Sequence, residues 1–290
     1  MIREFNKNRE SLTLQSDYSE KFQPQPNGQF QSQYFDRSGS LSMEGHAVTY
    51  YNQQKDADVL NFYSALSDEK RQDGGTTAWN MQELLSDIFF RRKEVVLKAI
   101  KCIISICDGC SAQYRSGSVC YELVVLAVTF GIVIDRVIQA SGHGKCIVDS
   151  QSGIDKTLLS LFFDCLVANP EALVDGCKRV ETHDRDEDGL VSLAAVCHKI
   201  LSDPDRRNGS NSNSKRVQNR MIDERRYLLR PEGEASEEGV KFVCMGFPKG
   251  DGLRANYHLR ADPELVRDQR RPDRIAIRRF PCFCDGCVEK

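Results

Sequence analysis

The sequence lacks the features that would anchor it in a membrane or send it out of the cell. Its first residues, MIREFNKNRE, contain no apolar segment of the kind a secretory signal needs, and no stretch reaches the ~18 consecutive apolar residues of a transmembrane helix. A charge excess is also missing, because the net charge is only −2, which points to no class of partner. We therefore expect an intracellular protein without a membrane anchor.

Cysteine, by contrast, is abundant, with 12 residues in the chain. Most cysteines stand singly in apolar stretches, as Cys102, Cys120, Cys165 and Cys197 do, which is typical of buried thiols in a reducing compartment. Arginine and lysine are concentrated in two stretches, 206–230 and 254–279. A stretch of this kind is either a phosphate-facing surface or, more commonly, a solvated polar face.

Hydrophobic patterning predicts the order of elements in the first 170 residues. Strands are expected at 11–17, 31–36 and 41–52, and residues 56–76 are expected to be loop-like with a short helix around 62–66. Next come a helix from Trp79 to Lys93, a buried strand at 95–107, a helix closed by Gly131, a strand at 132–140 and a helix carrying Ile154 to Cys165. This β-β-β-α-β-α-β-α order predicts an α/β fold with a ribonuclease H-like mixed sheet over residues 1–170.

The rest of the chain is predicted to be a mostly helical and irregular C-terminal extension. Residues 171–230 form its helical part, with a helix at 191–201, the polar linker RRNGSNSNSKR and a basic helix near 217–229. Residues 231–290 form a basic tail that contains cysteines.

Three aspartates occupy the positions at which ribonuclease H-like nucleases hold their metal ligands. Asp17 ends the first predicted strand, Asp108 ends the buried strand, and Asp149 begins the last helix of the domain. Carboxylates are ligands that Mg²⁺ prefers, and two such ions can activate a nucleophile and stabilise the leaving oxygen in phosphoryl transfer. For Asp108 taken alone, a helix N-cap is the commoner role.

Four segments carry a resemblance to a known family: SDYSEKFQPQPNGQFQSQYF, CDGCSAQYRSG, ASGHGKCIVDSQSGIDK and NYHLRADPEL with IAIRRFPCFCDGCVEK. Over almost its whole length the chain resembles a multicopy, mobile-element-derived family of eukaryotic proteins that are similar to DDE-type transposases. The resemblance implies an acidic triad of Asp17, Asp108 and Asp149 that uses Mg²⁺ or Mn²⁺ to cleave and join DNA. It also implies a nuclear location if the protein is active, and assembly into homo-oligomers. Asp155 remains an alternative third acid.

The segment GHGK precedes the last helix of the domain and holds His143 and Lys145. In the functional interpretation Lys145 contacts a DNA phosphate and His143 positions water or metal. In the other interpretation the two glycines form a turn and both side chains are solvated.

The segment CFCDGC places Cys282, Cys284 and Cys287 at a spacing that suits three corners of a structural Zn²⁺ site. Cys244 or His258 would supply the fourth ligand. Reduced thiols on a tail are the alternative interpretation.

Two functional hypotheses follow. One is a transposase-derived enzyme that cuts or joins DNA strands, with RNA as the alternative substrate. The other is a catalytically inactive or domesticated relic that acts as a nucleic-acid-binding protein. Only sixteen residues precede Asp17, which leaves no room for an upstream DNA-recognition domain and favours the second hypothesis.

Overall fold

The computed structural model describes residues 10–23, 40–68, 72–92, 97, 99–139, 146–168, 193–203, 222–230, 258–265 and 276–278. The strands are β1 (Ser11–Tyr18), β2 (Ser42–Asn52), β3 (Ala57–Ser67), β4 (Cys102–Cys107), β5 (Val133–Ile138), β6 (Glu224–Arg230), β7 (His258–Ala261) and β8 (Ala276–Arg278). The α-helices are α1 (Gly74–Ser86), α2 (Ser111–Tyr114), α3 (Gly117–Phe130), α4 (Ile147–Ala168) and α5 (Leu193–Ser202). A π-helical turn (Asp87–Arg91) extends α1, and a 3₁₀ turn (Pro263–Leu265) follows β7.

The described strands form one mixed sheet in the order β6-β3-β2-β1-β4-β5-β7-β8. Strand β1 is antiparallel to β2 and parallel to β4, and β4 is parallel to β5. Ser16 pairs with Cys107 across the parallel β1–β4 pair, so Asp17 and Asp108 follow at neighbouring positions. The predicted α/β class with a mixed sheet is confirmed. Three strands precede the first helix as predicted, but the third of them is β3, in a segment predicted to be loop-like.

Helices cover both faces of the sheet because side chains alternate between the faces along each strand. On one face Leu12 and Leu14 pack with residues of α1 and α3 in the largest apolar cluster. On the other face Met43 and Leu66 pack with residues of α4 and α5. None of the described helices is both long enough and apolar enough to span a bilayer.

Strand β3 corrects the prediction for residues 56–76. The segment around 62–66 was expected to be a short helix in a loop, but Ala57–Ser67 is a strand paired along its whole length with β2. A four-residue connection precedes it and ends at Asp56, whose φ is 49°. The strand has no clear alternation, since it is buried on both faces and also buries the polar Asn61 and Ser64. The predicted strand at 31–36 lies outside the described residues.

Strand β4 is shorter than predicted, because it begins at Cys102 rather than at residue 95. Within the rest of the predicted strand, the structure describes residues 97 and 99–101, and none of them belongs to a strand. All six residues of β4 pair with β1 on one side and with β5 on the other.

The C-terminal extension is not mostly helical in its described part. The helix predicted at 191–201 is confirmed as α5, but the basic helix predicted near 217–229 is wrong, because Glu224–Arg230 forms β6. Strand β6 lies parallel to β3 and presents alternate residues to opposite faces: Arg225 and Tyr227 reach α4, while Leu228 packs on the α1 side. Strands β7 and β8 extend the other edge of the sheet.

Candidate metal centre

Asp17 lies one residue before the end of β1 and faces helix α4. Its neighbour Ser16 points to the opposite face, where its Oγ lies 2.9 Å from His46 Nδ1. Across the antiparallel pair, Asp17 stands opposite Gly45 of β2. The aspartate is therefore placed by the strand register at the edge where α4 begins.

Asp108 and Asp149 reach the same edge from other elements. Asp108 directly follows β4, and its carboxylate accepts a hydrogen bond of 3.0 Å from the backbone N–H of Cys110. Asp149 lies in the first turn of α4 and accepts one of 3.2 Å from the N–H of Cys146. Each aspartate thus has a local role at a turn or a helix start, in addition to its place in the cluster.

The pKa of Asp17 responds to its burial and to both other aspartates. Burial is the main cause that raises the Asp17 pKa from 3.8 to about 6, and the charges of Asp108 and Asp149 raise it further. A hydrogen bond from the Tyr18 backbone opposes the shift. Near neutral pH the cluster carries repelling charges that a bound cation would relieve.

Among the described residues, the close group that could hold a metal ion contains Cys146, which the sequence did not single out, and does not contain Asp108. One ligand atom each from Asp17, Cys146 and Asp149 lies within 4.8 Å of the other two. Burial raises the pKa of the Cys146 thiol, and the charges of Asp149 and Asp17 act in the same direction. The available sequence signal was its position three residues before Asp149, directly ahead of the helix.

Asp155, the alternative third acid, has a different role. Six residues along an α-helix turn a side chain by about 600°, so Asp155 projects about 120° away from Asp149. Its fully buried carboxylate pairs with Arg225 at 2.7 Å and accepts hydrogen bonds from Ser64 and Tyr227. The Arg225 guanidinium also bonds to Gln151. Asp155 therefore fixes α4 to β3 and β6, and Asp149 is the member of α4 that reaches Asp17.

A family model described as "Domain of unknown function (DUF8701)" matches residues 3–180. The chain belongs to the DUF8701 family. The matched residues include Asp17, Asp108, Cys146 and Asp149, so all four lie within the DUF8701 domain. No curated protein and no solved structure gives a significant match to the chain.

Six residues of the DUF8701 protein that the sequence predicts to bind metal or DNA fall outside the described ranges: His143, Lys145, Cys244, Cys282, Cys284 and Cys287. His258, the alternative fourth ligand of the predicted zinc site, is the first residue of β7 and pairs with Val137 of β5.

Gly45 allows the start of α4 to approach the cluster. A Cβ atom at this position would lie 2.4 Å from Val148 Cγ1 and 3.1 Å from Ser152 Oγ. Val148 directly precedes Asp149, and its branched side chain has little rotamer freedom in a helix. The absence of a side chain at Gly45 therefore sets how close Asp149 lies to the strand that carries Asp17.

We predict that Gly45→Ala lowers the free energy of unfolding by about 1–3 kcal/mol, the usual cost of overpacking. It should also weaken Mn²⁺ binding, because α4 must move away from β1. Adding Val148→Ala removes the 2.4 Å contact, while Ser152 Oγ at 3.1 Å and Phe62 Cζ at 3.2 Å stay close, so it should restore part of both losses. Urea unfolding and Mn²⁺ titration of the single and double variants test this. A double variant no better than Gly45→Ala would contradict the proposed contact.

Proposed function

We propose that this DUF8701 protein has a ribonuclease H-like fold and that Asp17, Asp108 and Asp149 hold divalent metal for cleavage and joining of DNA strands. The observation that carries the proposal is that Asp17 and Asp149, from separate elements, lie close together with Cys146, while Asp108 at the end of the neighbouring strand is near enough to raise the Asp17 pKa. The strand order β3-β2-β1-β4-β5 supports it, with β2 as the antiparallel neighbour of β1. The resemblance to DDE-type transposases points the same way.

The chemistry follows from the donor set. Oxygen ligands from Asp17, Asp108 and Asp149 suit Mg²⁺ or Mn²⁺, and such ions can orient a water or 3′-hydroxyl for in-line attack and stabilise the leaving oxygen. The protein's own part is to keep these carboxylates together despite their repulsion. Cys146 adds a soft donor, which Mn²⁺ and Zn²⁺ accept more readily than Mg²⁺. We therefore expect Mn²⁺ to bind more tightly than Mg²⁺.

The test combines thermal melting with strand cleavage. Purified protein is melted across a Mn²⁺ and a Mg²⁺ titration and then incubated with end-labelled single-stranded and duplex DNA, and with RNA of the same sequence. We expect a metal-dependent rise in Tm and metal-dependent cleavage of DNA, both lost in Asp108→Asn. Asp58→Asn is the matched control, because this exposed aspartate lies in β3 at the opposite end of the sheet. Loss of both effects in the control as well would count against a specific site.

The alternative function is nucleic-acid binding without catalysis. The hydrogen bond from the Cys110 N–H to Asp108 fits the absence of catalysis, because it gives this aspartate a turn-stabilising role that needs no metal. Salt-dependent DNA binding that is unaffected by metal, together with no cleavage, would support this alternative.

Metal affinity should depend on pH through Asp17. Because burial and the neighbouring carboxylates raise the Asp17 pKa to about 6 in the metal-free protein, protons compete with the cation below that pH. We expect Mn²⁺ affinity to fall about tenfold per pH unit below 6. Above pH 7 the affinity levels off if only the carboxylates bind, and continues to rise if the Cys146 thiol must lose its proton to bind. Mn²⁺ titrations between pH 5 and 8 measure this. An affinity independent of pH in that interval would remove Asp17 from the set of ligands.

A further inference from the structure

A buried polar network lies beneath the aspartate cluster, on the opposite face of the sheet. Its centre is the Glu44 carboxylate of β2, which is 1% exposed. Glu44 Oε2 accepts a hydrogen bond of 2.6 Å from Asn80 of α1, and Oε1 accepts one of 3.0 Å from the Tyr114 hydroxyl. The Tyr18 hydroxyl also bonds to this carboxylate. A carboxylate this deeply buried is costly, so its retention calls for an explanation.

The partners of Glu44 are the residues that flank the two strand-end aspartates. Tyr18 directly follows Asp17 in β1 and, by strand alternation, points to the other face. Tyr114 ends α2, the single helical turn that begins three residues after Asp108. The rings of Tyr18 and Tyr114 lie 6.4 Å apart. One carboxylate on β2 thus connects the backbone beside Asp17 with the segment that follows Asp108.

Further contacts hold this network in place. Arg136 of β5, itself buried, lies over the Tyr114 ring at 5.8 Å and bonds to Ser105 of β4. Burial raises the pKa of Glu44 to about 7, and the positive charge of Arg136 opposes that shift. Among the described residues, His46 Nε2, Asn80 Oδ1 and Arg136 Nη1 have no hydrogen-bond partner. The network thus joins β2, β4, β5, α1 and α2 under the edge where the aspartates meet.

We infer that Glu44 is a positioning residue: by accepting hydrogen bonds from Tyr18 and Tyr114, it sets the separation of Asp17 and Asp108 on the opposite face of the sheet. This inference rests on the proposed function, because the separation of the two aspartates matters only if they hold a metal ion. Residues behind metal ligands commonly change metal affinity by 10- to 100-fold when they are altered.

Two tyrosine variants separate positioning from stability alone. Tyr114→Phe removes only the hydroxyl bonded to Glu44 and replaces no charged residue. Tyr227→Phe is the matched control, because its hydroxyl also donates 3.0 Å to a fully buried carboxylate, that of Asp155. Tyr227 lies on β6, on the α4 side of the sheet, and in this variant Asp155 keeps its bonds to Ser64 and Arg225, so α4 stays anchored.

We expect both variants to lower Tm, but only Tyr114→Phe to weaken Mn²⁺ binding, by about tenfold, when affinity is measured by electron paramagnetic resonance. Tyr227→Phe should bind Mn²⁺ within twofold of wild type. An unchanged affinity in Tyr114→Phe, or an equal loss in both variants, would overturn the inference. If Tyr114→Phe does not fold, Tyr18→Phe takes its place under the same criteria.

A second readout does not require metal and distinguishes failure of this inference from failure of the proposed function. If the wild-type protein binds no Mn²⁺, the proposed function fails, and positioning is judged from the backbone amide signals of the metal-free protein by NMR. Tyr114→Phe should shift the amide signals of Asp17 and Asp108, because the hydroxyl that ties the segment after Asp108 to Glu44 is gone. Tyr227→Phe should leave both signals unchanged. Unchanged Asp17 and Asp108 signals in Tyr114→Phe would rule out the positioning role.

Discussion

Asp17→Asn should make the metal-free protein more stable at neutral pH while abolishing its response to Mn²⁺. The wild-type carboxylate is partly buried beside Asp108 and Asp149, and its pKa is raised to about 6. Ionising it in the folded state therefore costs free energy that the amide does not cost. After allowance for solvent screening, we expect a gain of about 1–2 kcal/mol in the free energy of unfolding at pH 7.5. With Mn²⁺ at 100 times its Kd, wild type should gain about 2.7 kcal/mol and the variant nothing.

The stability difference between Asp17→Asn and wild type should depend on pH. The folded-state pKa of Asp17 lies above the unfolded value, so the folded protein holds the extra proton and loses stability as pH rises from about 4 to 6. The advantage of Asp17→Asn should be near zero at pH 4, grow through that window and be complete above pH 6. Urea unfolding at several pH values, with Asp58→Asn as the control, measures it. An Asn variant less stable than wild type at pH 7.5 would show that Asp17 stabilises the fold.

Arg225→Met should cause the largest loss of stability, about 3–5 kcal/mol, because it leaves Asp155 buried without its cation. The Asp155 side chain is fully buried and the Arg225 side chain is 16% exposed, with 2.7 Å between the charged atoms. The Arg225 guanidinium also lies 5.4 Å from the centre of the Phe62 ring. The free energy of unfolding in urea is the appropriate measurement.

Arg91→Met provides the matched control for that prediction. Arg91 also forms a 2.7 Å pair, with Glu83, but its side chain is 53% exposed, so the expected loss is below about 1 kcal/mol. The double variant Arg225→Met/Asp155→Leu should recover much of the lost stability, because no uncompensated charge remains. Equal losses in Arg225→Met and Arg91→Met would mean that burial does not determine the cost of breaking this pair.

The parts of the fold that were predictable are those whose pattern is local. Helix α3 shows an apolar stripe and ends at Gly131, whose φ of 65° is easy for glycine, and its Ser116 N-cap bonds to the Val119 N–H. Strands β1, β4 and β5 are short segments rich in β-branched and apolar residues. Because these elements alternate with helices, the positions of Asp17 and Asp108 at strand ends could be predicted without a structure.

The parts that were missed depend on contacts distant in sequence. Strand β3 was hidden because it buries Asn61 and Ser64 among apolar residues. Strand β6 has a strongly basic sequence, and its strand form depends on pairing with β3 and on the acceptor that Asp155 provides for Arg225. The choice between Asp149 and Asp155, and the presence of Cys146, required the orientation of α4 against the sheet, which no local pattern contains.

The pairing of β6 with β3 has a consequence for how the chain folds. Asp223 bonds to Leu60 across 163 positions, and a contact this distant in sequence forms late, since a long loop must close first. Until residue 230 has been synthesised, β3 presents an unpaired edge to other chains, and Asp155 lacks both Arg225 and Tyr227. A fragment that stops at residue 180, where the DUF8701 match ends, would remain in that incomplete state and be prone to aggregate.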